Sequence, residues 1–231
     1  MSINVNSSGT WKEAQEVYIK DGGAWKPCTD VLINHSGTWK SALYAAGTQE
    51  YSAGSSGTFT VPNGVYTITV SIIGGGGGGS GGQDYGSGGG GSGGYYQNYS
   101  YSVTPGQTLS YSVGSGNGGG TGGKGGDSVF GTLTAGGGYN PASYDFSAGA
   151  GGSPNGTAGE TGNQSNYNCP AIAGDGANSP WGTGGAGGVG GCPHQSGSSG
   201  ASATGYGAGG GGGGNNAGGG SGSNGHIWLS W

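Results

Sequence analysis

Residues 182–191 read Gly182-Thr183-Gly184-Gly185-Ala186-Gly187-Gly188-Val189-Gly190-Gly191, and a residue other than glycine returns at every third position. This spacing fits neither the 3.6-residue period of an α-helix nor the two-residue period of a β-strand. A polyproline II helix has about three residues per turn. The pattern therefore predicts an extended rod with Thr183, Ala186 and Val189 along one edge and glycine along the other two.

Tracts of the same kind recur along the chain, at 121–127 and, less regularly, at 74–94, 148–152 and 205–222. A polyproline II rod has no internal hydrogen bonds, so buried rods must bond to neighbouring rods, and glycine permits the close approach that this requires. The alternative is a flexible or disordered glycine-rich linker. Because Trp, Tyr, Phe and Cys punctuate the tracts and strand patterns enclose them, we favour packed rods.

Composition limits both the core and the partners. The 231 residues include 67 glycines, and only 30% are hydrophobic, so stability must rely on backbone hydrogen bonds and aromatic anchors. Five lysines, no arginine and ten acids give a net charge of −5. The lysines are not clustered as nucleic-acid binding requires, so we expect no nucleic-acid partner. No signal peptide or long apolar run is visible, which predicts synthesis in the cytoplasm without membrane insertion.

Residues 1–45 contain a 14-residue repeat that occurs three times without a gap. Each unit has alternating apolar residues, a turn ending in glycine and a Trp-Lys pair, which is the pattern of a β-hairpin. A single hairpin cannot bury its apolar face, so we expect the three units to meet in a pseudo-threefold cluster and form an attachment module. The cluster would contain Trp11, Trp25, Trp39, Val5, Ile19 and Ile33. The alternative is three hairpins of one small sheet without symmetry.

A polar stretch at 46–57 is predicted to connect this module to a second domain at 58–231. That domain opens with strand patterns at 58–61 and 65–73, separated by Pro62-Asn63-Gly64. Strands at 95–103 and 108–113 flank Thr104-Pro105-Gly106-Gln107, a hairpin signal. A short strand is predicted at 128–134, and 224–231 should pair back onto the first strands. The whole predicts a small β-sandwich from which a bundle of glycine rods protrudes.

Side chains that interrupt the rods are expected at the rod ends, where they would form loops. Most are aromatic or amide residues, the mixture that serves antibody paratopes. The alternative is that these aromatics cap the rods and fill a core that glycine cannot fill. The candidate binding residues are Tyr139, Asn140, Tyr144, Asp145, Phe146, Tyr167, Asn168, Trp181, His194, Gln195 and Tyr206.

Cys169 and Cys192 each precede a proline and could form a disulfide outside the cell, with Cys28 left free. Free thiols are the alternative for a protein made in the cytoplasm. A zinc site is disfavoured, since no Cys-x-x-Cys pair or second histidine has ligand spacing. Neither a nucleophile-histidine-acid order nor a matched carboxylate pair stands in a suitable context. We therefore expect no metal, no cofactor and no enzymatic activity.

The order of these segments resembles the glycine-rich domain found at the ends of bacteriophage tail-fibre proteins. The resemblance covers residues 50–231 and rests on 58–66, the poly-glycine at 74–79, Ser102–Leu109, Gly125–Gly131 and Asn224–Trp231. It implies a polyglycine II bundle like that of the distal adhesins of T-even-like phages, in which loops between glycine tracts bind the bacterial receptor. The N-terminal repeats look like short repeats of phage tail proteins but depart from those adhesins, which leaves the mode of attachment open.

We thus expect a mostly β protein without substantial α-helix, in which a hairpin repeat module precedes a small β-sandwich that carries packed polyglycine II helices. The expected function is that of a tail-fibre tip adhesin in the virion. Its partners would be a tail-fibre or baseplate protein and a bacterial outer-surface protein or glycan. One copy would plug a trimeric fibre, or each chain of a homotrimer would end in this domain. The alternative functions are a structural virion spacer and an ice-binding protein with the Thr183–Ala186 edge as its flat surface.

Overall fold

The computed structural model describes residues 4–7, 10–13, 18–28, 31–35, 37–41, 46–82, 86–143, 146–163, 172–190 and 196–231. Within these ranges the protein is all-β and contains no α-helix, as the sequence predicts. Its strands form several antiparallel sheets. The described ranges also contain no helix with the length and apolar character needed to cross a membrane.

Each N-terminal repeat is a separate β-hairpin. The pairs are β1 (Asn4–Ser7) with β2 (Thr10–Glu13), β3 (Tyr18–Asp21) with β4 (Ala24–Pro27), and β5 (Leu32–His35) with β6 (Thr38–Ser41). Their registers are equivalent, because an apolar residue faces the lysine of the Trp-Lys pair in every hairpin. These facing pairs are Val5 with Lys12, Ile19 with Lys26, and Ile33 with Lys40.

The apolar side chains that the structure describes in the hairpins do not gather into the predicted cluster. Trp25 is 67% exposed, Trp39 is 64% exposed and Ile19 is 52% exposed. Each hairpin is a two-stranded sheet of its own, and two strands alone offer no second layer against which an indole can be buried. The expectation of a cluster within one chain is therefore wrong for these three residues.

The rest of the chain is built on two four-stranded antiparallel sheets. One has the strand order β10-β9-β16-β7, from β7 (Thr48–Ser52), β9 (Thr67–Ile73), β10 (Tyr95–Ser102) and β16 (His226–Ser230). The other has the order β13-β12-β11-β8, from β8 (Ser56–Thr60), β11 (Thr108–Ser112), β12 (Ser128–Phe130) and β13 (Leu133–Ala135). The closing strand β16 pairs with β9 and β7, as predicted.

One hydrophobic core joins the two sheets. Ile68, Val70 and Ile72 alternate with more exposed residues along β9 and pack with Ile227 and Leu229 of β16. The opposite sheet contributes Phe59, Leu109, Phe130, Leu133 and Ala135. The ring centroid of Trp231 lies 5.4 Å from that of Phe59. This two-layer packing is a β-sandwich.

The predicted connector at 46–57 is wrong, because β7 and the start of β8 lie within it. β7 is an edge strand that pairs with β16. Tyr51 is partly buried, and the other four residues of β7 are exposed. The strand therefore lacks the alternation of apolar and polar residues by which strands are recognised in sequence.

The turn at 104–107 joins two sheets and not two strands of one hairpin. Gly106 has a φ of 77°, and the Gln107 N–H donates to the Thr104 carbonyl at 2.9 Å. However, β10 pairs with β9, whereas β11 pairs with β8 in the other sheet. The turn residues determine that the chain reverses direction, but they do not determine which strands pair. The predicted hairpin is therefore wrong. The predicted strand at 128–134 is likewise two strands, β12 and β13, which pair with each other.

Glycine tracts between the strands pack together into what we call the glycine bundle (residues 74–82, 86–94, 114–127, 136–143, 146–163, 172–190 and 196–225). In the first tract, the N–H groups at 74, 77 and 80 donate to the carbonyls at 94, 91 and 88, and those at 76, 79 and 82 donate to the carbonyls at 223, 220 and 217. Gly75 donates in a third direction, to Gly126. Because each neighbour returns after three residues, the hydrogen bonding has the same period as the sequence.

Burial follows the same period in the tract at 182–191. Positions 183, 186 and 189 are exposed, 185 and 188 are buried, and 184 and 187 are intermediate. The buried glycines approach other backbones closely, and a Cβ built on Gly209 would overlap the carbonyl oxygen of Gly90. Such an approach is open to glycine alone.

The bundle has a near end at the sandwich and a far end away from it. Gly74 follows β9 and bonds to Gly94, which precedes β10, whereas Ser80 bonds to Gly88. The other tracts are in register with this pair, as the Gly213 N–H donates to the Ser80 carbonyl. In the first tract, residues 74–82 lie between β9 and the far end. It contains the tract ends at 82, 86, 146, 163, 172, 190 and 215.

Candidate functional site

Six of the eleven predicted loop residues lie outside the part of the chain that the structure describes. Tyr144, Asp145, Tyr167, Asn168, His194 and Gln195, with Cys169 and Cys192, lie outside the described residues. Phe146 is half-buried, and its carbonyl accepts the Gly162 N–H at 2.9 Å at the far end of the bundle. The described residues that flank the other loops, such as Asn163 and Ile172, also belong to the far end. The far end is therefore the candidate loop surface.

Asn140 is a structural residue and not a loop residue, which corrects the sequence interpretation. It is 5% exposed. Its Oδ1 accepts the Gly78 N–H at 2.7 Å, and its Nδ2 donates to the carbonyls of Gly118 and Gly120, each at 3.0 Å. Buried amides require such partners, and here they engage both ends of the amide inside the bundle.

Tyr139 is 46% exposed and lies beside Lys124 on the side of the bundle. The Lys124 Nζ lies 5.5 Å from the ring centroid and forms an ion pair with Asp127 at 2.6 Å. Burial alone would raise the pKa of Asp127, but hydrogen bonds from Lys124 and from the Gly137 N–H together hold that pKa below its ordinary value. Because the charges of Lys124 and Asp127 compensate each other, we assign their ion pair a structural role. Tyr139 beside it stays accessible.

Trp181 and Tyr206 lie at the near end, against the sandwich, so their expected place in distal loops is wrong. They face each other in β14 (Trp181–Thr183) and β15 (Thr204–Tyr206), a two-stranded sheet formed where antiparallel tracts turn back. The ring centroids of Trp181 and Trp228 are 4.9 Å apart, and that of Tyr206 lies 4.3 Å from His226. With Tyr95, whose ring meets Trp181 edge-on at 5.9 Å, these residues form the aromatic cluster (Tyr95, Trp181, Tyr206, His226 and Trp228).

His226 is the buried member of the aromatic cluster, with 3% exposure. Its Nε2 lies 3.3 Å from Oε2 of Glu50 on the neighbouring strand β7. Burial lowers the pKa of His226 more than the hydrogen bond with Glu50 raises it, so the ring is neutral at neutral pH. Because Nδ1 has no partner within the described part of the chain, we assign the proton to Nε2, which donates to Glu50. A neutral histidine thus orients an exposed carboxylate.

Beside Trp228, the outer face of the sheet opens into a groove of about 220 Å³. Two rows of side chains cross three strands there, since laterally paired residues share one face of a sheet. The first row is Glu50, Trp228 and Ser71, and the second is Thr48, Ser230 and Thr69. The groove is lined by these six residues together with Asn98 and Leu229.

Asn98 reaches the groove from a β-bulge in the edge strand β10. The register of β10 against β9 shifts between Tyr96 and Tyr99, and Asn98 has a φ of 51°, a value that asparagine tolerates better than most residues. The Asn98 N–H donates to Ser71 Oγ at 3.0 Å, and the Ser71 hydroxyl donates to Asn98 Oδ1 at 3.3 Å. Bulges often re-aim a side chain beside a functional site.

The described residues contain no group of three or more His, Cys, Asp and Glu side chains that could hold a metal ion. What the groove does offer is hydroxyl groups, an amide, a carboxylate and an indole. These groups suit hydrogen bonding and stacking with a polar ligand.

Sequence reasoning missed most of this groove. The sequence patterns place Glu50 in a connector and indicate no binding role for His226, Asn98 or Trp228. One available signal was the alternation along β16, where His226, Trp228 and Ser230 face away from the core residues Ile227 and Leu229. The contact of His226 with Glu50 spans 176 residues, and such a pairing cannot be read from a local pattern.

No curated protein sequence matches this chain. A family model described as a glycine-rich domain matches residues 48–231. The matched span begins at the first residue of β7 and includes both four-stranded sheets and the whole glycine bundle. Over this span, which is most of its length, the chain belongs to the glycine-rich domain family.

Proposed function

We propose that this protein is a bacteriophage tail-fibre tip adhesin, which binds a receptor on the host bacterium through loops at the far end of the glycine bundle. The hydrogen-bonded bundle between the sandwich and those loops is the main support. Its tracts bond to several neighbours in turn, and its buried glycines leave no room for a Cβ. A rigid mount of this kind reduces the entropy that the loops lose when they meet a receptor.

The composition of the loops also favours binding over catalysis. The segments that join the far-end tract ends contain tyrosines, asparagines and glutamines among small residues. Aromatic rings supply rigid contact area, and amides supply adaptable hydrogen bonds. Together with the resemblance to phage adhesins, this mixture suits an outer-surface protein or a glycan as the receptor, in a virion protein that carries no cofactor.

The N-terminal hairpins would attach the adhesin to a tail-fibre or baseplate protein. Trp25 and Trp39 are exposed, and a two-stranded hairpin needs a further layer to bury its apolar face. Three hairpins of equivalent register in one chain could present near-identical surfaces to the three subunits of a fibre. Counting the copies per fibre by mass measurement tests this arrangement, since one copy supports a plug and three copies contradict it.

Binding of the purified protein to a panel of candidate host bacteria tests the adhesin proposal. The informative variant is the double substitution Tyr144→Ala and Phe146→Ala, which alters a far-end loop. Tyr66→Ala is the control, because Tyr66 is an aromatic residue, 36% exposed, that belongs to the sandwich and not to the far end. We expect binding to a subset of hosts, lost in the folded double variant and retained by the control.

A structural spacer in the virion is the competing function, and the same measurements distinguish it. A spacer would bind no host of the panel, or would bind equally well with and without the far-end substitutions. Virions that carry the double variant would then adsorb to cells as the wild type does. Either result would overturn the proposal that far-end loops contact the receptor.

A further inference from the structure

We propose that the groove beside Trp228 is a second binding site, distinct from the far-end loops, and that it accepts one ring of a neutral carbohydrate. The groove lies on the outer face of the sandwich, at the opposite end of the bundle from those loops. It therefore requires neither the loops nor the hairpins, and it can be tested independently of the adhesin function.

Trp228 would form the stacking platform of this site. Its ring is half-buried and held by Trp181 at 4.9 Å, by Tyr206 at 5.3 Å and by His226 at 4.3 Å between centroids. Trp228 also lines the groove. A fixed indole presents a flat, electron-rich apolar surface, and the C–H groups on one face of a pyranose ring are its natural complement.

The polar groups around Trp228 match the hydroxyl groups of a sugar. Hydroxyls both donate and accept hydrogen bonds, so a sugar needs partners of both kinds. The groove supplies four hydroxyls, one amide and one carboxylate, from Thr48, Thr69, Ser71, Ser230, Asn98 and Glu50. Two of these groups are held in place: Asn98 by the bulge and its bonds to Ser71, and Glu50 by His226. Such support is typical of a preorganised site.

Charge and size select a single neutral ring. Glu50 is the only charged residue among the described lining residues, so anions such as phosphates or acidic sugars would be repelled. Cages for quaternary ammonium ions surround the cation with several aromatic rings, whereas the described residues that line the groove include one aromatic side chain, that of Trp228. The volume of about 220 Å³ is below the roughly 300–1,000 Å³ of pockets for drug-sized ligands.

Titration of the full-length protein with simple sugars tests this inference. The probes are D-glucose, D-galactose, D-mannose and N-acetyl-D-glucosamine, with N-acetylneuraminic acid and choline as charged comparisons. The readouts are the indole N–H signal of Trp228 in the amide-nitrogen correlation spectrum and saturation transfer from protein to ligand. We expect at least one neutral sugar to shift the Trp228 signal saturably in the millimolar range, with the strongest transfer to its ring C–H protons.

Three variants connect any binding to the groove. Trp228→Ala should abolish it, but this change also removes packing from the aromatic cluster. Asn98→Gly is the cleaner test, because glycine keeps the positive φ while the amide is lost, and we expect binding about tenfold weaker. Tyr139→Ala removes an exposed aromatic residue outside the groove and should change nothing. The inference is overturned if no neutral sugar shifts the Trp228 signal, if choline binds in preference, or if Asn98→Gly binds as the wild type does.

The same variants separate this site from the proposed adhesin function. The double variant Tyr144→Ala and Phe146→Ala should bind sugar normally even where it no longer binds cells. Conversely, Asn98→Gly should lose sugar binding whether or not any host in the panel is recognised. Loss of sugar binding in the far-end variant would mean that the sugar contacts the loops, and it would overturn the assignment to the groove.

Discussion

The side-chain oxygen of Asn140 accepts the backbone N–H of Gly78 at 2.7 Å, across 62 residues of sequence. Three residues earlier in the same tract, the N–H of Gly75 donates instead to a backbone carbonyl, that of Gly126. The Asn140 side chain therefore supplies to Gly78 the acceptor that a backbone carbonyl supplies to Gly75. At this position one buried side chain takes the place of a backbone acceptor.

Asn140→Ala should lower the free energy of unfolding by about 1–3 kcal/mol, because it leaves the buried Gly78 N–H without a partner. Asn178→Ala is the matched control: its Oδ1 also accepts a tract N–H, that of Gly184 at 2.8 Å, but at an exposed position where water can replace it. The control should cost less than about 1 kcal/mol. Urea denaturation of the three proteins provides the comparison, and equal losses in both variants would contradict the role assigned to Asn140.

Gly209→Ala should be far more destabilising than Gly218→Ala. A Cβ at Gly209 would overlap the carbonyl oxygen of Gly90, whereas at Gly218 it would meet nothing within 4 Å. Overpacking of this kind against backbone costs about 3 kcal/mol or more, while alanine at the open site should be neutral or stabilise by up to about 1 kcal/mol. Thermal unfolding would measure the difference. A Gly209→Ala protein as stable as wild type would show that the tracts are less closely packed than we describe.

Local patterns predicted the repeating units of this fold but not their partners. The three-residue spacing of Thr183, Ala186 and Val189 reappears in burial and hydrogen bonding, since both follow from backbone geometry. The pairing of strands is decided by the whole core. The residues at 104–107 therefore predict a hairpin, although the turn joins two sheets. In the same way, an aromatic residue that interrupts a tract marks a tract end, but nothing local says which end.

The groove could not be predicted from the sequence, again because its residues come together only through strand pairing. Its members come from four strands, and Glu50 and Trp228 become neighbours only when β16 closes the sheet. The edge strand β7 has too few buried residues to be recognised by its pattern. Likewise, the positive φ of Asn98 belongs to a bulge that shifts the register between β10 and β9. No sequence pattern indicates a bulge in a strand rich in tyrosine and serine.

Mild acid should weaken the folded state through His226. Burial lowers the pKa of the folded ring despite the contact with Glu50, whereas the unfolded chain takes up the proton near pH 6.5. As the pH falls below about 7, the unfolded state therefore binds more protons, and the free energy of unfolding decreases until the folded pKa is reached. Denaturation of wild type and His226→Gln between pH 8 and 5 isolates this effect. We expect the difference in stability, wild type minus variant, to shrink toward acid; a growing difference would mean that Glu50 raises the pKa overall.

A disulfide between Cys169 and Cys192 remains a prediction, and the register of the flanking tracts supports it. The Ala173 N–H donates to Gly188 and the Gly176 N–H to Gly185, and Ile172 faces Val189. The two cysteines lie outside the described residues, and each is three positions along the sequence from a member of the pair Ile172 and Val189. We expect air-oxidised protein to yield a peptide linked through these cysteines in non-reducing mass spectrometry, with Cys28 open to alkylation, and reduction to lower the free energy of unfolding by about 3 kcal/mol. Cys28→Ser should leave the linkage unchanged. Alkylation of all three thiols in the oxidised, folded protein would rule the linkage out.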